Sequence, residues 1–600
     1  MMRQIGRVFL LLALSATVMA QATGSKAGAP TKKKATARKS AAAPARVTAE
    51  DVKELREALA AQQQQIQELR QELQQRNQAT QAAQQAAQEA QSAASSAQQA
   101  TTASAQKADE AAATANALKS DVSDLKLNAT NAALSLQDEQ KRVTDMVESP
   151  LALHFKGITI TPGGFLAAET VWHAHSMASD VNTPFNSVPF SGADAYHLSE
   201  FFGTGRTSRL TLLMQGKISR ATFTGYYEMD WLGAGVTSNN NQSNSYVNRQ
   251  RQMWAQAALT NGWTFTGGQM WSLVTETKNG MDNRTEAVPS VIDHAYNVGF
   301  SWARQYGFRV VKNFNNKVWL GFSVEGAQTT LTQHNAATNF DFGNTGTTGG
   351  AFNNGATYSA NLSPDYVVKA VWQPKYGHYE VFGLLSPFHD RIYPNATAAA
   401  PSAVGAFNDS RMGGAIGANA RWLFYNKHIE VGIHGMGGDG NGRYGASGLP
   451  DVTVRNDGTL ALLHAYQGLG TLEFHHPKFD IYFNGGSEYV SRYYTLKAAA
   501  ATSGNAVGYG SPLYSNAGCT TEILPAAGGL TAGPGTCNGD TKSLFEFSSG
   551  FYIKFYNGPK GRLQWGPQYS FIRRSLWNGV GGAPNTDQNM FLTSFRYFLP

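Results

Sequence analysis

Between Leu151 and Pro600 apolar and polar side chains alternate with a period of two, segment after segment, and no helical period replaces it. A strand turns successive side chains to opposite faces, so the pattern describes strands with one greasy face and one wet face. Ala221, Phe223, Gly225, Tyr227, Met229 and Trp231 share a face, with Thr222, Thr224, Tyr226, Glu228 and Asp230 opposite. Phe545, Phe547, Phe551, Ile553 and Phe555 oppose Glu546, Ser548, Tyr552 and Lys554, and Leu563, Trp565, Tyr569 and Phe571 oppose Arg562, Gln564, Gln568 and Ser570. Val318, Leu320, Phe322 and Val324 form another such row, as do Phe479, Ile481 and Phe483.

Strands are expected near 163–174, 206–218, 220–233, 247–260, 262–271, 302–314, 316–328, 364–374, 376–388, 410–425, 427–438, 458–475, 477–493, 541–556, 561–577 and 587–599. That is about 16 strands, an even number, as single-chain bacterial membrane barrels have. Every second connection is tight, at Ser219, Asn261, Asn315, Lys375, Asn426, Pro477 and Asn557-Gly558. The alternate connections, near 175–205, 234–246, 272–301, 329–363, 389–409, 439–457, 494–540 and 578–586, are long and rich in Gly, Asn, Thr and Ser. Long loops on one rim and short turns on the other predict an all-β transmembrane barrel of antiparallel strands over residues 150–600, with both ends on the short-turn side. Charged residues make up only 15% of the chain, yet the mean hydropathy is −0.32, too polar for a helical membrane protein. All 11 Trp residues fall in this region, many near strand ends, where an interfacial aromatic girdle belongs.

The preceding third follows a different rule. Steps of three and four residues from Val52 run through Leu55, Leu59, Ile66, Leu69 and Leu73, then Ala83, Ala87, Ala90, Ala94 and Ala97, and on to Leu118, Val122, Leu125, Leu136, Val143 and Met146. This 3.5-residue repeat predicts a left-handed coiled coil over 50–148, about 140 Å long at 1.5 Å per residue. Its alanine-rich middle buries little area, so the helix needs partner copies; the register alone leaves two chains or three open, and a disordered Gln/Ala spacer is the competing reading. Arg3, Arg7, the apolar run Val8 to Val18 and Val18-Met19-Ala20 read as a signal peptide over 1–20. Export follows, and no later apolar run is long enough to anchor a helix in a membrane.

The net charge of +7 is concentrated in a Lys/Ala-rich linker over 21–49, where Lys26, Lys32, Lys33, Lys34, Arg38, Lys39 and Arg46 meet no acid. It is a short tail rather than a face of a folded domain, so nucleic acid is not expected. Residues 26–46 are a candidate contact for peptidoglycan carboxylates, against the plainer reading of a solvated linker. Cys519 and Cys537 lie in one loop of an exported chain and read as a disulfide. No metal site or cofactor is expected.

Arg249-Gln250-Arg251-Gln252-Met253-Trp254-Ala255, followed by Gly268-Gln269-Met270-Trp271-Ser272-Leu273 leading into the third long loop, resembles the DcaP-like porins, relatives of the phosphate-selective type of trimeric porins. The resemblance extends to the architecture from about residue 50 onward: heptad coil, then barrel. It implies an outer-membrane homotrimer with the coil in the periplasm, and a channel through each barrel preferring small anions such as dicarboxylates.

A barrel of this size leaves a wet lumen unless a loop constricts it. The third long loop, 272–301, is the constriction candidate, carrying Glu276, Lys278, Asp282, Arg284, Glu286 and Asp293. The pore-wall candidates are Arg209, Lys217, Arg309, Lys369, Arg421, Lys554 and Arg562, whose field would favour anions. The competing reading makes them ordinary lumen polar groups balanced by Glu169, Glu228, Asp230 and Glu546. Arg251 fits either face, because its strand alternates poorly. No Gly-x-Ser-x-Gly elbow or other catalytic constellation is present, and Gly437 to Gly442 precedes no helical pattern, so no enzyme is expected. The expected function is passive diffusion of small hydrophilic solutes; the alternative is a tether between outer membrane and cell wall whose pore is incidental.

Overall fold

A computed structural model describes residues 152–600 apart from 234–246, 336–338, 344–358, 398 and 523–536, together with helical residues at 118–119, 121–126, 128–130 and 136. The chain divides into two units, Met1–Arg142 and Val143–Pro600. In the first, the described residues are helical, with Val122, Ala129 and Leu136 half-buried and the other described residues exposed. The signal peptide, the basic linker and most of the heptad register lie outside the described residues.

The second unit is one closed antiparallel sheet. Its long strands are β1 (Ile158–His173), β2 (Arg209–Ile218), β3 (Ala221–Gly233), β4 (Val247–Leu259), β5 (Trp263–Trp271), β6 (Arg304–Phe314), β7 (Val318–Glu325) and β8 (Asp365–Trp372). They continue as β9 (Gly377–Ile392), β10 (Phe407–Phe424), β11 (Ile429–Asp439), β12 (His464–His475), β13 (Phe479–Val490), β14 (Thr541–Gly558), β15 (Gly561–Leu576) and β16 (Asn585–Phe598). Each pairs with the next, and β1 pairs with β16 from Phe165↔Phe598 to His173↔Met590, which closes the barrel at 16 strands. Three short strands (Leu153–Phe155, Glu200–Thr204 and Phe340–Asp341) bring the hydrogen-bonded sheet to 19.

The closure seam depends on a bend in β1. Residues 158–165 pair with β2, and residues 165–173 pair with β16. The change of partner falls at Gly164, whose φ is +126° and whose missing Cβ would stand 2.1 Å from the Arg209 carbonyl oxygen. Only glycine fits there. At the tight turns Ser219, Asn315, Asn316 and Asn426 take left-handed φ, which Asn tolerates well.

The outward face is apolar around the whole circumference: Phe223, Phe308, Leu320, Val368, Val381, Ile416, Ile433, Phe483, Phe547 and Phe591 are all exposed. Trp263, Phe314, Trp372, Tyr376, Tyr425, Phe479 and Phe555 are exposed toward the short-turn rim. An exposed apolar surface that encircles a closed barrel is matched to lipid, not water. Among the described residues no helix is long and apolar enough to cross a membrane.

Several strand ends differ from the expectation: the first strand begins five residues earlier, at Ile158, and the strand expected as 376–388 runs on to Ile392. The segment expected as 458–475 starts at His464, because Leu460–Leu462 pairs instead with Val452–Val454 in a separate hairpin. The segment expected as 316–328 stops at Glu325, where the loop leaves the wall. In the segment expected as 458–475, apolar residues continue past the strand because they pack under other loops: Val452, Val454 and Leu460 form a cluster with Phe342, Phe388 and Val507.

Candidate functional site

The lumen is occupied by the loop 272–301. Having almost no regular structure, it carries backbone N–H groups that need acceptors once they leave water. The inward face of the wall provides them. Glu325 on β7 accepts from Leu273 N (2.8 Å), Glu380 on β9 from Thr277 N (3.0 Å), and Gln373 from Gly280 N (2.7 Å). Further round, Glu473 on β12 accepts from Ser290 N (3.2 Å), Gln568 on β15 from Ile292 N, Glu546 on β14 from Val298 N (2.9 Å) and Glu488 on β13 from Gly299 N (2.8 Å). The loop is thus stitched to the wall from β7 to β15.

Apolar packing reinforces the stitching. Val291, Ile292, Tyr296, Val298 and Phe300 of the loop form one buried cluster with Val171, Leu469, Tyr482, Leu544, Tyr552, Ile572, Met590 and Leu592 of the wall. This part of the lumen is a packed core rather than a wet channel.

Of the pore-wall candidates, three are used to hold this loop. Arg421 forms a bidentate pair with Glu276 (3.0 and 2.9 Å) and bonds Glu430. Burial alone would raise the Glu276 carboxyl, but the adjacent Arg421 guanidinium outweighs it and holds the pKa below the usual range. Lys369 bonds the Thr275 carbonyl (2.9 Å) and pairs with Glu380 (2.6 Å). Arg309 donates to Asn283 Oδ1 (2.7 Å) and to the Trp271 carbonyl. All three are buried and spent on clamping. Lys217 is exposed near the Ser219 turn and makes no ion pair among the described residues.

The other three candidates, Arg209, Lys554 and Arg562, line a cavity of about 600 Å³ beside the loop, with Lys278, Arg284, Glu286 and Asp293 of the loop and Arg596 of the wall. Lys554 pairs with Asp480 (2.8 Å), Arg596 with Glu169 (2.6 Å), Lys278 with Glu430 (3.2 Å), and Arg209 stands 3.6 Å from Glu228. Arg284 and Arg562 have no ion pair among the described residues; they lie over the rings of Tyr226 (5.0 Å) and Phe598 (4.0 Å). Asp282 is exposed and accepts from Asn279. Desolvation lifts Glu286 to about 7 and Asp293 to about 7.

Arg251, read as able to face either way, turns inward through a bulge. Glu228 pairs with Gln252 and Met229 with Gln250, leaving Arg251 as the extra residue. A bulge re-aims its side chain. Arg251 reaches Glu228 (2.6 Å), Asp230 (2.8 Å), His294 Nε2 (3.0 Å) and Tyr296 Oη (3.0 Å). Burial holds His294 well below the ordinary imidazole range, so its Nε2 accepts from Arg251. Sequence reasoning did not single out Arg596, His294, Tyr296 or the acceptors Glu325, Glu380, Glu473 and Glu488. The wall acids were findable, because each sits on the polar face of an alternating strand.

Cys519 and Cys537 form a disulfide. The buried Cys519 packs with Phe190 and Leu576, fastening this loop against the segment that follows β1.

No family model matches the chain, and no curated protein is similar to it in sequence. Solved structures are. The outer membrane channel DcaP of Acinetobacter baumannii is 13% identical, covering 74% of this chain and 99% of its own, with a TM-score of 0.50. This barrel has a DcaP-like porin fold. The anion-selective porin from Comamonas acidovorans is 10% identical over 74% of this chain and 100% of its own (TM-score 0.39). The trimer form of OmpT, an outer membrane protein of Vibrio cholerae, is 8% identical over 74% and 100% (TM-score 0.37).

Proposed function

We propose that this protein is an outer-membrane porin through which small hydrophilic solutes diffuse passively, with a preference for small anions such as dicarboxylates. The observation that carries the reading is the cavity left beside the lumen loop. Its basic set is Arg209, Lys278, Arg284, Lys554, Arg562 and Arg596, against Glu228, Glu286, Asp293, Glu473 and Asp480. Two of those acids are half-protonated near neutral pH, and two of the arginines have no acid partner among the described residues. The balance is positive, and a low-dielectric wall focuses that field on the path. Arginine also fits a carboxylate bidentately.

Residues 1–20 act as an export signal in this reading, 21–49 as a basic linker and 50–148 as a periplasmic coiled coil joining three copies, each with its own barrel in lipid. The basic stretch 26–46 supports a second role as a cell-wall tether, tested by peptidoglycan pull-down with and without it.

The deciding experiment is single-channel recording in a planar bilayer under a salt gradient. Conductance in steps of three with an anion-selective zero-current potential supports the proposal. A folded, heat-modifiable barrel without conductance overturns it in favour of the tether.

A further inference from the structure

A cluster at the short-turn end of the lumen is not explained by anion diffusion. Glu430 on β11 and Glu473 on β12 are direct cross-strand partners on the inward face. Like charges so placed repel unless something cationic is shared between them. Each carboxylate has one oxygen committed: Glu430 Oε1 to Arg421 and Lys278, and Glu473 Oε1 to the Ser290 N–H. The two remaining oxygens face His475 Nε2, 3.9 Å from Glu430 Oε2 and 3.2 Å from Glu473 Oε2. The three ligand atoms all lie within 4.8 Å of one another.

Two further observations point to a ligand. Glu473 is only 2% exposed, yet its Oε2 has no hydrogen-bond donor. His475 Nδ1 is 3.2 Å from Asp480 Oδ1, an arrangement in which Nδ1 donates to Asp480 and Nε2 points at the two glutamate carboxylates. A carboxylate behind a histidine is the usual outer support of a metal-bound imidazole. Glu473 and His475 also line the 600 Å³ cavity, which gives an ion a route in.

We propose that Glu430, Glu473 and His475 bind a divalent cation of the zinc class, with water completing the coordination and Asp480 as a positioning residue. Two oxygens and one imidazole nitrogen suit Zn²⁺ or Co²⁺ better than Mg²⁺ or Ca²⁺, which prefer all-oxygen shells. Arg421 and Lys278 stand on the far oxygen of Glu430, and Glu276 balances Arg421, so neither cation occupies the ligand side. The bound ion ties β11 to β12 and, through Glu473 and Ser290, to the lumen loop. The alternative occupant of the space is a proton, which makes His475 an imidazolium paired with both glutamates.

The test uses the full chain in detergent, stripped with chelator, with Co²⁺ as the spectroscopic probe and Zn²⁺ as competitor. One Co²⁺ per chain with visible absorption bands, displaced by Zn²⁺, is expected. In His475→Ala and His475→Gln the bands disappear, and in Asp480→Asn the Zn²⁺ dissociation constant rises about tenfold or more. Unheated gel mobility checks that each variant is a folded barrel. Absence of stoichiometric Co²⁺ in the wild type overturns the proposal in favour of the imidazolium, as does binding unchanged in both folded His475 variants. Neither result bears on conductance, so this site and the porin reading stand or fall separately.

Discussion

At the scale of single residues, the lumen separates clamps from free charges. Arg421 is buried between Glu276 and Glu430, so Arg421→Ala removes the guanidinium from Glu276 and leaves Glu430 with Lys278. Breaking one side of a buried pair costs about 3–5 kcal/mol. The expected result is a lower temperature for loss of the fast-migrating folded form, with a larger and noisier conductance as the loop loosens. Arg284 behaves differently. It is exposed in the cavity, with its guanidinium over the Tyr226 ring and no ion pair among the described residues. Arg284→Ala is expected to leave thermal stability unchanged. Removing a unit charge roughly 5 Å from the ion path in water changes the ion's energy by about 0.8 kcal/mol. Anion permeability then falls about fourfold and cation permeability rises by about the same factor, so their ratio falls by up to about 16-fold at low salt and by less as salt is raised. Sequence alone placed both arginines on the wet side but did not tell them apart, because the difference lies in which loop acid reaches which wall base. Arg251 shows the same limit: its poor alternation was visible, while the bulge that resolves it is a matter of register with β3.

At the scale of elements, the strands were legible and the loops were not. All 16 barrel strands stand where the period-two rows and tight turns put them, since alternation and turn chemistry are local properties. The strand end at His464 moved because packing of the hairpin Val452–Val454 with Leu460–Leu462 under the outer loops decided it. The path of 272–301 was invisible for the same reason: its backbone bonds go to glutamates hundreds of residues away, such as Glu546 and Glu488. That path places Glu286 and Asp293 by the cavity, where desolvation lifts each to about 7. The sign of the pH effect follows. Below pH 7 both carboxyls are mostly neutral and the arginines dominate the field; above it both ionise and add negative charge beside the path. Selectivity for anions is therefore expected to rise as pH falls from about 8 to about 6, read as a shift of the zero-current potential. The double variant Glu286→Gln, Asp293→Asn should hold the acidic value across the range.

At the scale of the whole molecule, the closing contacts of the barrel all lie after residue 157. β1 begins at Ile158 and pairs with both β2 and β16; among the described residues before it, only the short strand Leu153–Phe155 joins the sheet, against the start of β1. The heptad pattern before it, by contrast, carries mostly alanine through its middle, and a coiled coil built on such a pattern would be a weak driver of association. These two facts separate the stability of the pore from the assembly of copies. A chain reduced to residues 1–20, the proposed export signal, joined to residues 150–600 should still fold to a heat-modifiable barrel with the same unit conductance and selectivity, because every clamp on the lumen loop is retained. What the truncation decides is which part of the chain would join the three copies of the proposed assembly. Steps of three that persist mean that the copies meet through the barrel walls and that the coil is a stalk. Single steps mean that the coil holds the copies together. A truncated chain that inserts no channel at all would show that closure of β1 on β16 needs the preceding segment, contrary to the pairing described here.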